Sequence, residues 1–182
     1  PVADANVPAD LFSGVRFMAR TLRNVWPQLT SWENVYLAWH RCRRRKRFKP
    51  EACAFAAAWQ PNLVQLRREL LNGTWRPGRY RHFRIVDPKP RKISAAPFRD
   101  RIVHHAVVQV LEPFYERRFL YDSYACRRGK GTHRAVERAR GFVRRYPFCL
   151  KTDIVRFFPC VDHAVLRELL QKHIRDDQVM LL

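Results

Sequence analysis

The residue most able to do chemistry is Asp153, in the stretch FCLKTDIVRFFPCVDH at positions 148–163. Phe148, Cys149 and Leu150 predict a short apolar strand that delivers this carboxylate at its end, with Ile154, Val155, Phe157 and Phe158 behind it and Pro159 to stop it. Such a carboxylate can grip a hard cation such as Mg²⁺. Most strand-end aspartates are caps or turn formers instead, so one acid does not decide the matter. A second cluster is DSYACRRGKGTH at 122–133, where Gly129 and Gly131 let a backbone approach a phosphate beside Arg127, Arg128 and Lys130. A basic glycine loop opening a helix suits an anion. The GxxxxGK[ST] spacing of a P-loop is absent. A third group, Arg79, Arg81, Arg84, Lys89, Arg91 and Lys92, flanks a turn at Asp87-Pro88-Lys89-Pro90. Cations at a hairpin tip can fold over an anionic ligand; they also protect a sheet edge. His104 and His105 would point about 100° apart on a helix and cannot share one metal from it.

These groups need elements to hold them. Residues 1–9 predict an unstructured lead-in. Leu11, Val15, Met18, Leu22 and Val25 recur at helical spacing from Asp10 to Trp26, with Pro27 as the stop. Thr30 and Glu33 read as a capping box for a second helix carrying Trp32, Tyr36 and Trp39 on one face. It runs into Arg41, Arg43, Arg44, Arg45, Lys46 and Arg47, which either complement the helix end or touch phosphate. Pro50 opens a third helix with the core stripe Phe55, Trp59, Leu63, Leu66 and Leu70, a kink at Pro61 and a stop at Gly73. Tyr80 to Val86 and Arg91 to Ala96 predict the two strands of the hairpin. A long helix from Phe98 to Phe119 buries Ile102, Val103, Ala106, Val107, Val110, Leu111 and Phe114. Thr132 is expected to cap a helix over roughly 132–145, with Ala135, Ala139 and Phe142 inward and its arginines outward. Asp162 opens a last helix whose Ala164, Val165, Leu169 and Leu170 can face a core.

Composition narrows the partners. The chain has 36 Lys and Arg against 16 Asp and Glu, a formal charge of +20, with 47% hydrophobic residues. That is enough apolar material for a core, and a charge that favours a polyanion, nucleic acid before an anionic membrane or an acidic protein. No apolar run approaches the roughly 18 residues of a membrane span, and no signal-peptide pattern opens the chain, so a cytoplasmic location is expected. Cys42, Cys53, Cys126, Cys149 and Cys160 show no zinc spacing and are expected reduced and mostly buried. Pro1 in place of Met and the apolar run at 179–182 give the expectation of a piece of a longer polypeptide.

Three blocks in this order, DPKPRKISAAPFRDRIVHHAVVQVLEP (87–113), DSYACRRGKGTHRA (122–135) and LKTDIVRFFPCVDHAVL (150–166), resemble the fingers and early palm of a reverse transcriptase. The resemblance is strongest to the bacterial group II intron-like enzymes. The AAPFRDRIVHHA and GKGTH stretches look closer to the diversity-generating, defence-associated and CRISPR-associated relatives. It implies an RNA-directed DNA polymerase that copies RNA into DNA by two-metal nucleotidyl transfer, with Mg²⁺ or Mn²⁺ as cofactor. Asp153 matches the first metal-binding aspartate, with the Ile154 backbone carbonyl as accessory ligand. Phe158 matches the bulky residue beneath the incoming sugar. Lys89 and one of Arg91 and Lys92 match cations that touch the triphosphate. Arg99, Arg101, Arg127, Arg128, Lys130 and Gly131 match positions near the template and primer backbone. The implied partners are an RNA template, a DNA or RNA primer and dNTPs, with no membrane; the resemblance also admits accessory proteins, of CRISPR adaptation or other kinds, in a bacterial cytoplasm.

The Tyr-x-Asp-Asp turn that supplies the family's other two carboxylates is missing. Asp176-Asp177 lies at a helix boundary after His173, where capping is the more natural role. Residues 1–182 alone are therefore expected not to polymerise. The alternative is a non-catalytic RNA-binding or scaffolding module with the same fold. The expected class is α+β, an incomplete right-hand polymerase: a helical region over 1–78, helix-rich fingers with a β-hairpin over 79–147, and the first part of an antiparallel palm over 148–182. An unfinished sheet edge there would favour self-association.

Overall fold

A computed structural model describes residues 21–86 and 88–182. In chain order it runs β1 (Leu22–Arg23), α1 (Trp26–Leu29), α2 (Trp32–Arg43), α3 (Pro50–Ala57), α4 (Trp59–Leu71), β2 (Arg81–Val86) and β3 (Pro90–Ala95). There follow α5 (Phe98–Glu116), α6 (Thr132–Arg145), a 3₁₀ turn (Phe158–Cys160), α7 (His163–Gln171), β4 (Ile174–Arg175) and α8 (Asp177–Leu181). The class is α+β, helix-rich with small sheets. No described helix is long and apolar enough to cross a membrane.

The core sits where α2 and α4 meet α5. Val35, Ala38, Trp39 and Cys42 of α2, Leu63, Leu66 and Leu70 of α4, and Ile102, Val103, Ala106, Val110 and Phe114 of α5 are buried together. The stripes read from the sequence on α4 and α5 thus enter one common core with α2, and burial of such side chains stabilises by roughly 1.5–3 kcal/mol each. A polar tie crosses this core: Asn34 Nδ2 donates to the carbonyls of Leu29 (2.8 Å) and Ala106 (3.1 Å), and Gln109 Nε2 donates to Asn34 Oδ1 at 2.7 Å. The pair fixes the sliding register of α2 on α5, because a shift would strand buried amides.

Several local expectations are corrected. Of the helix expected over Asp10 to Trp26, the part up to position 20 lies outside the described residues, 21–25 are not helical, and Trp26 begins α1. Leu22 and Arg23 instead pair in parallel with Ile174 and Arg175. Pro27 sits in the first turn of α1 rather than after a helix, a position where its missing N–H costs nothing. Ser31, not Thr30, caps α2, accepting from Asn34 N at 3.2 Å, while Thr30 Oγ1 turns back to the Trp26 carbonyl. The kink expected at Pro61 is a full break at Ala58, so that Pro61 lies in the first turn of α4. Thr132 begins α6 but does not cap it; Gly131 is the cap residue, at φ 118°.

The largest correction concerns residues 148–160. No strand forms at Phe148, Cys149 and Leu150; the chain there is irregular, and the stop at Pro159 is a 3₁₀ turn. Phe148 is 91% and Leu150 88% exposed, so the hydrophobic partner that a strand would need is not supplied within this fold. Ala139, Phe142, Val165 and Leu169, expected inward, are exposed on α6 and α7. Of the cysteines only Cys42 is buried, and all are free thiols.

Asp176 does what its position at a helix boundary suggested, and more. Its Oδ1 accepts from Val179 N at 3.3 Å to cap α8. Its Oδ2 accepts from Val25 N at 2.7 Å and Trp26 N at 3.0 Å, satisfying the start of α1 across 150 residues of sequence. One buried carboxylate thus joins two helix starts and, with β1 and β4, closes the two ends of the described chain on each other.

Candidate nucleic-acid interface

The hairpin is the most prominent charged element. Its antiparallel register pairs His82 with Ser94, Phe83 with Ile93, Arg84 with Lys92 and Ile85 with Arg91. Successive side chains alternate faces. His82, Arg84, Lys92 and Ser94 therefore share one face, while Phe83, Ile85, Arg91 and Ile93 share the other. Arg91 and Lys92, which the sequence left as alternatives, point to opposite sides, so a ligand on one face meets only one of them. Arg84, one of the cations the sequence places on the hairpin, stands directly opposite Lys92, and like charges so placed destabilise a bare hairpin. Lys89 lies in the turn and is exposed; Asp87 of the same turn lies outside the described residues. His82 Nδ1 and Ser94 Oγ share a hydrogen bond of 2.9 Å beside the cations.

The root of the hairpin is clamped. Gly78 N donates to the buried Asp100 at 2.7 Å, and a Cβ at position 78 would come within 2.9 Å of Pro97 Cγ. Arg101 pairs with Glu51, and Arg81 reaches the same carboxylate at 3.9 Å. Arg99 pairs with Glu69, whose carboxyl the Arg99 guanidinium holds below the usual glutamate range. Arg99 and Arg101 thus stand at the hairpin root with a carboxylate apiece.

The glycine loop is organised from inside. Arg127 is almost fully buried and acts as its peg: Nε donates to both Glu116 oxygens (2.9 and 3.1 Å), and Nη1 to the carbonyls of Leu120 (2.7 Å) and Ser123 (3.0 Å). Lys130 donates to the Tyr121 carbonyl at 2.6 Å and lies 3.7 Å from the Tyr121 ring centre. Asp122 accepts from Arg138 Nε at 2.8 Å and from the Tyr124 hydroxyl at 3.1 Å, and the Arg138 bond holds its carboxyl below the ordinary aspartate range. Arg128 is exposed and has no carboxylate partner among the described residues. No spacing in the sequence marks Arg127 as a peg, because Glu116 lies on the preceding helix.

Asp153 is exposed, and its Oδ1 accepts at 3.0 Å from the backbone N–H of Ile154, its own neighbour. Phe158 is 85% exposed, edge-on to Phe157 at 5.5 Å. No hydrogen bond, ion pair or ring contact joins Asp153 or Phe158 to the hairpin among the described residues. Nor do three or more His, Cys, Asp or Glu side chains come together there as a metal site. A lone carboxylate with a backbone carbonyl beside it does not complete the six-oxygen shell that Mg²⁺ demands.

No family model matches this chain. It is 34% identical over 83 residues to nuclear intron maturase 1, mitochondrial, of Arabidopsis thaliana, covering 46% of this chain and 12% of that protein. Nuclear intron maturase 2, mitochondrial, of the same plant is 27% identical over 179 residues, 88% of this chain and 24% of its own length. The chain is thus weakly similar to plant nuclear intron maturases. That similarity supports a reverse-transcriptase-like relationship. Protein YkfC of Escherichia coli (strain K12) is 29% identical over 126 residues, 64% of this chain and 32% of that one. The chain spans between about an eighth and a third of the length of these relatives.

Proposed function

We propose that residues 1–182 are the RNA-binding fingers and the beginning of the palm of an RNA-directed DNA polymerase, and that they act within a longer protein. The observation that carries this reading is the hairpin: a two-stranded element standing out from the core with Arg84 set against Lys92 and Lys89 at its tip. Cations held face to face are relieved when phosphate lies between them, and the phosphodiesters of an RNA backbone or the triphosphate of a dNTP supply it. The order of the three blocks and the similarity to intron maturases support RNA as the polymer. Asp153 is the one catalytic carboxylate these residues contribute, so the piece alone does not extend a primer.

The test is primer extension on an RNA template by the full-length protein, with and without Asp153→Ala. The reading expects synthesis to fall by at least about a thousandfold, roughly 4 kcal/mol of transition-state stabilisation, with RNA affinity unchanged. Full-length protein that binds RNA but makes no DNA at all favours a second reading, a non-catalytic RNA-binding module. The exposed, irregular setting of Asp153 and the absence of carboxylate neighbours among the described residues speak for that second reading.

A further inference from the structure

The turn between α2 and α3 carries the densest run of cations in the sequence. Arg41, Arg43, Arg44, Arg45, Lys46, Arg47 and Lys49 fall within nine residues, and among the described residues no carboxylate pairs with any of them. A helix end accounts for part of this: Arg41 and Arg43 lie in the last turn of α2, where cations favour the dipole, and Arg43 rests on the Trp39 ring at 4.4 Å. Residues 44–49 lie beyond that turn, where the dipole no longer reaches. The tertiary structure adds to the charge rather than diluting it. Burial first, then the fields of Lys46, Arg41, His104 and Arg101, hold the His105 imidazole below its usual range, which locates cations of α2, of the turn and of α5 around one point. Glu51 is the acid of this neighbourhood, and it is engaged with Arg101.

Two further features separate this turn from a merely solvated one. Phe48 is 96% exposed in the middle of the cations, an aromatic ring with neither face covered. Arg45 holds the left-handed conformation at φ 59°, which glycine adopts without strain and arginine does not. A strained position that keeps a long cation, next to a bare ring, is arranged for contact rather than for folding.

We propose that residues 44–49, with Arg41, bind single-stranded RNA, the phosphates lying on the cations and one base stacking on Phe48. Cations interleaved with an exposed ring are what an unpaired strand needs, because only its bases offer a free face. A duplex keeps its bases stacked and would leave Phe48 unused. The proposal rests on the nucleic-acid part of the function given above and not on polymerase chemistry. It makes the turn a second contact surface, reached from the hairpin root through Arg101 and Glu51.

The experiment is fluorescence anisotropy of residues 1–182 with a labelled oligouridylate of roughly 12 nucleotides, a matched oligodeoxynucleotide and an RNA duplex. Phe48→Ala is expected to weaken single-strand binding about tenfold and to leave duplex binding unchanged. Arg44→Ala combined with Lys46→Ala and Arg47→Ala is expected to reduce the slope of log affinity against log salt by about 2, at roughly 0.7 per phosphate. Arg45→Gly is expected to weaken binding while the melting temperature holds or rises by about 2–4 °C, an outcome that loss of fold cannot produce. Unchanged single-strand affinity in Phe48→Ala, or equal losses on single strand and duplex, overturns the stacking site; equal affinity for the oligodeoxynucleotide overturns its assignment to RNA. If the wild-type chain binds none of the three, the wider nucleic-acid function falls with it. If Lys89→Ala/Lys92→Ala weakens binding while the variants at 44–48 do not, this site alone is refuted and the hairpin reading stands.

Discussion

The helical body formed by α2, α4 and α5 and the arm over residues 117–171 carry equally legible amphipathic patterns, and only one of them is buried. Leu63, Leu66, Ile102 and Phe114 have almost no surface left, while Phe142, Val165, Leu166 and Leu169 each keep about two-fifths of theirs or more. On α6 the apolar and arginine faces separate more sharply than on α4, yet α6 buries nothing. The arm is held by polar clasps instead: Arg127 on Glu116, Lys130 on Tyr121, Arg138 on Asp122. Apolar periodicity announces a face; whether anything covers it depends on what the rest of the fold brings up. Exposed apolar surface of this extent is the kind that contact with further polypeptide or a partner covers.

The contrast can be broken by mutation, and the largest effect belongs to the body. Leu63→Ala is expected to destabilise by about 2–5 kcal/mol through cavity formation, whereas Leu169→Ala should fall within about 0.5 kcal/mol, both read by urea denaturation followed by tryptophan fluorescence. Equal losses would show that the arm packs as tightly as the body. Asp176→Ala comes next, at about 2–4 kcal/mol, because it removes a helix cap and leaves buried N–H groups of Val25 and Trp26 without an acceptor. Asp176→Asn, which keeps one acceptor oxygen, should recover part of that loss; no recovery would assign the effect to charge rather than to capping.

Smaller and more local is the clasp of the glycine loop. Arg127→Ala is expected to speed proteolytic cleavage within residues 120–131 several-fold while moving the global unfolding midpoint little, since the loop packs on itself. A large shift of the midpoint would tie the loop to the core. Acid sharpens the same point through Asp122. Its carboxyl is depressed in the folded chain, so the clasp on Arg138 is fully present above the ordinary aspartate pKa of about 3.9 and is lost as pH falls through the lower folded value. Carbon-13 titration of the Asp122 carboxyl should therefore give a midpoint below that of an unpaired aspartate, and Arg138→Ala should raise it toward the ordinary value. The smallest change is Arg84→Glu, which turns a repulsive cross-strand pair with Lys92 into an attractive one. It should slow amide exchange in residues 81–95 by an amount corresponding to about 0.2–1 kcal/mol while weakening RNA binding.

Much of the body was legible in order and type. The α4 and α5 stripes, the hairpin at Arg81 to Ala95 and the capping role of Asp162 all follow from local rules, because each involves residues within a few positions of one another. The failures share the opposite property. Leu22 continues a helical spacing but pairs as a strand with Ile174, and Phe148 to Leu150 look like a strand but have no neighbouring strand to pair with. At the candidate interface the sequence lists the cations but not what surrounds each of them. Strand register set Arg84 opposite Lys92 and parted Lys92 from Arg91, while a carboxylate on another helix turned Arg127 inward.

By itself the amino-acid sequence determined the excess of +20, the helical stripes, the turn chemistry and the three ordered blocks, since charge and periodicity are properties of composition and near neighbours. Only the tertiary structure decided which cations are engaged with carboxylates and which stand free, and which apolar faces found cover. Those outcomes depend on groups as far apart as Val25 and Asp176, and no local preference can encode a contact whose partner lies 151 residues away.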